Sequence, residues 1–181
     1  MAKTKWTVDV THSSIEFVVR HMMISRAKGV FNVYDAKIEA DPEDLTDATI
    51  EFSVDVNSID TRQQDRDDHL RSADFFDVEN HPHMTFQATD IKKKSENNYD
   101  VTGDLTIRGT TKPVTFDMTF EGQSKDPMSG NEVAGFSGSG KLNRKDFGLT
   151  WNTTLETGGV LVGDEVKINL ELELHKQKVG S

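Results

Sequence analysis

The chain has no cysteine, only four prolines, and aromatic side chains at just 8% of its 181 positions. Without thiols there are no disulfides, no thiolate metal sites and no cysteine nucleophile, so stability must come from packing and backbone hydrogen bonds. Nowhere do about 18 apolar residues run together, the length a membrane-crossing helix needs. The opening stretch MAKTKWTVDVTHSS carries neither an apolar leader core nor a small-residue cleavage site, and a cytoplasmic protein with no integral membrane segment is expected. Positive charge is also scarce. With 31 acidic against 21 basic side chains, the formal net charge of -10 opposes the phosphate attraction that nucleic-acid binding relies on, and no nucleic-acid partner is expected. The one basic run, Lys92-Lys93-Lys94, has no interleaved aromatics and reads as a solvated hairpin edge.

What the chain does have is period-two alternation, the mark of strands with one buried face. Ile15, Phe17 and Val19 alternate with Glu16 and Arg20, and Ile50, Phe52, Val54 and Val56 with Glu51, Ser53, Asp55 and Asn57. The same rule places Val101, Leu105 and Ile107 on one face, then Val114, Phe116, Met118 and Phe120, and finally Val166, Ile168, Leu170, Leu172 and Leu174. Less regular runs cover residues 30–39, 84–93 and 133–142. About eight strands result, separated by turn-rich links such as DPEDLTD and SKDPMSGN. Links this short favour antiparallel neighbours, because parallel pairs need long crossovers. The expected fold is all-β, a single eight-stranded antiparallel barrel over residues 1–181 with its core at about 5–176. One short helix at residues 65–72 should interrupt it between the third and fourth strands.

Gly103, Gly138 and Gly140 share the parity of the inward-facing residues. They point either to a hollow interior or to bends where strands coil around a barrel. The candidate lumen lining is Phe17, Val19, Phe52, Val54, Phe86, Leu105, Phe116, Met118, Phe136 and Leu170, and each has a second reading as ordinary core.

Few motifs offer chemistry. GFSGSGK, residues 135–141, has phosphate-loop spacing, but Leu142 replaces the required Ser or Thr and no helix follows. His81-Pro82-His83 brings two imidazoles to one stretch without a third ligand at zinc spacing, so no metal site and no cofactor are expected. His12 beside Ser13 and Ser14 lacks a nucleophile elbow, and strand neighbours point to opposite faces. The densest charge cluster is TRQQDRDDHLRSADFF, residues 61–76. It reads as a wet helix face supported by pairs such as Asp67 with Arg71, while Leu70, Phe75 and Phe76 close one end of the barrel or frame its entrance.

Several blocks together resemble the YceI-like family, named for polyisoprenoid binding. They are WTVDVTHSSIEFVVRHMMISRAKGVF, SIDTRQQDRDDHLRSADFFDVENHPHMTF, VTGDLTIRGTTKPVTFDM, GFSGSGKLNRKDFGLTW and VGDEVKINLELEL, and they span nearly the whole chain. Arg108 departs from the pattern, where the family commonly carries histidine, and many relatives look periplasmic. The resemblance implies a lipocalin-like barrel, often homodimeric, whose lumen holds a long-chain isoprenoid or similar lipid, with no catalytic residues. A polar head group would meet Arg66, His69 or Arg144 at a mouth. Two rival readings are an enzyme acting on a lipid through the acidic cluster Asp65–His69, and a structural or stress-response barrel with a filled core.

Overall fold

Alternating strands joined by short turns can bury their apolar faces without helices by stacking two sheets or by closing one sheet on itself, and the chain takes the second course. The computed structural model describes residues 3–152, 155 and 161–177. Its strands are β1 (Thr4–Val8), β2 (Ser14–His21), β3 (Ser25–Phe31), β4 (Tyr34–Asp41), β5 (Asp44–Asp55), β6 (Ile59–Asp60), β7 (His83–Lys93), β8 (Asn98–Ile107), β9 (Thr110–Lys125), β10 (Glu132–Asn143) and β11 (Val162–Lys176). Neighbours run β1–β4–β5–β7–β8–β9–β10–β11, and β11 returns to β1, so eight antiparallel strands close the ring. The last three strands, β2, β3 and β6, continue the walls at one end. β2 pairs with β11 and β3, and β3 with β6, so β1–β2, β3–β4 and β5–β6 each form one long, broken stave.

The breaks have local causes. Asp9 turns its side chain onto the Thr11 amide at 3.0 Å and starts a 3-10 turn at Val10–His12. Asp55 does the same to Asn57 before Val56–Ser58. A short side chain that captures the amide two residues on offers the backbone an alternative to the ladder. The tight turn from β8 to β9 uses Arg108 and Gly109, with φ of 50° and 76°, the left-handed pair that matches hairpin twist.

The inward residues meet in the lumen as the alternation requires: Ile38, Leu105, Val114, Phe116, Met118 and Leu172 are all buried. The three inward glycines do not leave empty space. A Cβ on Gly103 would lie 2.5 Å from the Phe86 ring, one on Gly140 would lie 2.7 Å from Phe116, and one on Gly138 would collide with the Met118 sulfur. Each glycine is a shelf for a large side chain of the adjacent strand.

The helix α1 (Gln64–Arg71) begins and ends one residue earlier than the sequence suggests. Gln63 caps it by accepting from the Arg66 amide at 2.6 Å. Its face is not uniformly wet, because Asp67 is buried and accepts from both the amide (2.8 Å) and hydroxyl (2.5 Å) of Thr61. Since Asp67 turns inward, Arg71 pairs instead with Asp68 at 3.0 Å. Lys94 also departs from the reading of a merely solvated run, bridging Asp100 and Asp117 at 3.0 and 3.1 Å across neighbouring strands.

Candidate functional site

The ring of inward side chains encloses a cavity of about 170 Å3. Eight of the sequence candidates stand on its wall: Phe52, Val54, Phe86, Leu105, Phe116, Met118, Phe136 and Leu170. Among the described residues no charged side chain lines it. Sequence reasoning passed over Trp6, Ile38, Ala40, Tyr99, Ala134 and Leu174, which line it as well. Their parity was available, since β4 reads Tyr34, Ala36, Ile38, Ala40 inward, but small alanines weaken the apolar signal.

Phe17 and Val19 open instead onto a second cavity of about 460 Å3, together with Leu70, Phe75, Trp151 and Leu161. The two cavities share one inner face of β2, because Ile15 lines the first while Phe17 and Val19 line the second. A group of rings packs at this part of the wall. Phe17 packs on Phe31 with centroids 5.6 Å apart, and Phe31 meets Phe76 edge-on at 6.1 Å. Leu70 and Phe75 line the second chamber, and Phe76 packs on Phe31.

The polar rim of this second cavity carries Gln63, Asp65, Arg66, His69 and Arg20. Arg66 donates to the Thr61 hydroxyl (2.8 Å) and carbonyl (2.7 Å), which fixes its direction. His69 contacts Asp74 at 2.9 Å and presents its ring edge-on to Trp151 and Phe75, with centroids 4.6 and 5.0 Å apart. Beside the opening, the β2–β3 turn projects Met22, Met23 and Ile24 into solvent, with Ile24 87% exposed. Its amide at Met22 bonds the Leu161 carbonyl at 2.8 Å, which holds the turn against the rim.

Arg144 is not a mouth residue. It is 3% exposed, and its guanidinium donates to the carbonyls of Leu149, Trp151, Val162 and Gly163 at 2.5 to 3.2 Å. Burial lowers its pKa from the ordinary arginine value, against the opposing pull of Asp164. Its role is to pin the segment after β10 onto β11. Arg108 has a similar task, donating to the carbonyls of Phe75 and Gly148 at 3.0 and 3.3 Å.

Within the acidic cluster, Asp67 accepts from Thr61, Asp68 pairs with Arg71 and Asp74 with His69, while Asp65 and His69 stand together on the rim of the second cavity. Ser13 is also engaged, accepting from the Glu173 amide at 2.9 Å. Among the described residues no helix is long and apolar enough to cross a membrane.

Comparison with known proteins places these features in context. Residues 6–174 match the family model described as the YceI-like domain. A UPF0312 protein of Staphylococcus epidermidis is 44% identical over 170 residues, covering 94% of this chain and 96% of that one. The crystal structure of Burkholderia cenocepacia BcnA superposes with a TM-score of 0.80 at 27% identity, covering 92% of this chain and 98% of that one. A polyisoprenoid binding domain from Saccharophagus degradans shares the fold at a TM-score of 0.71 and 14% identity, over 96% and 99% of the two chains.

Proposed function

The chain belongs to the YceI-like domain family, and from that membership and the uncharged lumen we propose that it binds an elongated apolar lipid without catalysing a reaction on it. The observation that carries this reading is the wall of the inner cavity, built by alternating strands into a surface with no charged group among the described residues. Each methylene moved from water to such a wall contributes about 0.8 kcal/mol, so a hydrocarbon chain gains affinity with length and needs no polar anchor. The fold shared with a polyisoprenoid binding domain supports an isoprenoid or quinone tail as the ligand class.

Size refines the picture. A cavity of about 150 Å3 accommodates benzene, so the inner chamber at about 170 Å3 receives a stretch of six or seven carbons. A longer chain must continue past Phe17 into the second chamber, where Arg66 and His69 stand at the polar rim for a head group. Trp6 lines the inner chamber and Trp151 the outer one, which provides one fluorescent reporter for each.

Titration of Trp6→Phe and Trp151→Phe variants with farnesol and a longer prenyl alcohol tests the proposal. Long chains should perturb both tryptophans, and farnesol one more than the other. Saturable binding that perturbs neither would place the ligand outside the barrel and refute the reading.

A further inference from the structure

On the outer wall, at the seam where β1 meets β11, four side chains converge that the lumen does not use: Asp9, His12, Glu173 and His175. The local backbone explains how. Glu173 and His175 are two apart on β11, so both point outward while Leu172 and Leu174 point into the lumen. Asp9 and His12 are three apart across the 3-10 turn, where side chains at that spacing eclipse. The Asp9 amide donates to the Glu173 carbonyl at 2.9 Å and brings the two pairs together.

The ligating atoms of Asp9, Glu173 and His175 all lie within 4.8 Å of one another. His12 Nδ1 is 2.8 Å from Asp9 Oδ2 and 3.1 Å from Glu173 Oε2. His175 Nε2 is 3.3 Å from Asp9 Oδ2 and 3.9 Å from Glu173 Oε2. A tetrahedral ion with ligand bonds of 2.0–2.1 Å has ligand-to-ligand edges of about 3.3–3.4 Å, which lies within the span of these four contacts, with His12 at the edge of the compact Asp9, Glu173 and His175 group.

Hydrogen bonding accounts for only part of the cluster. The single in-plane position of His12 Nδ1 is directed at Asp9. The Glu173 and His175 side chains are partly exposed, at 32% and 24%, but their Oε2 and Nε2 atoms are shielded from solvent and form no hydrogen bond, meeting His12 and Asp9 only as ion-pair neighbours. An oxygen lone pair and an imidazole nitrogen that are shielded together without a hydrogen bond are what a shared cation would complete. Asp9 Oδ1 is already held by the Thr11 amide, which leaves Oδ2 aimed into the group.

We propose that Asp9, His12, Glu173 and His175 form a binding site for a divalent transition-metal ion of the zinc type. Two imidazole nitrogens and two carboxylate oxygens are a donor set for zinc, not for magnesium or calcium, which take oxygen ligands. The ion ties the first strand and the turn after it to the last strand, closing the barrel seam from outside without entering the lumen.

The test uses full-length, tag-free protein stripped with chelator. Isothermal titration with zinc should give one saturable site per chain, and cobalt should develop the strong visible absorption of a four-coordinate ion, displaced by one equivalent of zinc. The double variant Glu173→Gln, His175→Gln should weaken zinc binding by at least about 100-fold, while His81→Gln, His83→Gln should leave it unchanged. Zinc at about 100 times its dissociation constant should also raise the folding equilibrium constant of the wild type about 100-fold, and leave that of the first double variant unmoved. Absence of saturable zinc binding would overturn the proposal. So would binding that survives Glu173→Gln, His175→Gln or that disappears with His81 and His83. The metal-free double variant should melt no lower than the metal-free wild type, which separates lost ligands from lost fold.

Discussion

Filling the inner chamber with protein should weaken lipid binding while leaving the empty barrel at least as stable. Ala134 is 4% exposed, sits on β10 opposite Leu174, and lines the chamber. Ala134→Leu adds three carbons, which at roughly 25 Å3 per carbon, scaled from benzene in a 150 Å3 cavity, occupy about 75 Å3. That is a little under half of the 170 Å3 present. A ligand chain displaced by three methylenes loses about 2.4 kcal/mol, or roughly 50-fold in affinity. In the ligand-free protein the same change removes cavity at about 24 cal/mol per Å3, so stability should rise by up to about 1–2 kcal/mol. A thermal melt of the lipid-free variant should therefore shift up by a few degrees. Fluorescence titration with a long prenyl alcohol should show the weakened binding. Unchanged affinity beside a raised melting temperature would mean that the ligand does not occupy this chamber. A lowered melting temperature would mean that the chamber is not empty space, and the volume argument would fail.

Three further outcomes follow from packing and hydrogen bonding. Gly138→Ala should cost about 1–3 kcal/mol in urea unfolding, because its Cβ would meet the Met118 sulfur and lie 2.7 Å from the Asp117 carbonyl oxygen; a neutral result would show that Met118 does not rest on the glycine. Arg144→Lys should destabilise by about 2–4 kcal/mol, since one ammonium cannot reach the four carbonyls of Leu149, Trp151, Val162 and Gly163; a loss of lipid binding with full stability would instead restore it as a head-group contact. Asp67→Ala should cost about 1–3 kcal/mol by leaving the buried Thr61 amide without an acceptor, and Asp67→Asn, which keeps one acceptor, should cost less in the same denaturation assay.

The barrel was legible because its signal repeats. Runs such as Val166 to Leu174 alternate without error, and with short links they permit little other than an antiparallel closed sheet. The breaks at Asp9 and Asp55 were not apparent, because an aspartate inside an alternating run looks like any outward polar residue until its side chain is seen on the amide two positions later. Parity also put the right residues inward but could not divide them between chambers. Contacts such as those of Phe31 with Phe17 and Phe76 join separate segments and cannot be read from parity. The inward glycines left two readings open for a related reason: a missing side chain says nothing about which neighbour fills the place, and Phe86, Met118 and Phe116 do. Arg144 looked available as a cation because sequence does not reveal a cage of carbonyls. The Asp9, His12, Glu173 and His175 group was invisible for want of any spacing rule that joins the two ends of a chain.

The central claim is that the lumen holds an apolar chain, and native mass spectrometry of the protein purified under mild conditions tests it most directly. The spectrum should show an added mass that organic extraction identifies as a lipid with a long hydrocarbon tail, retained by wild type and reduced in Ala134→Leu. Protein that carries no such lipid, and takes none up from prenyl alcohols or quinones in excess, would contradict it.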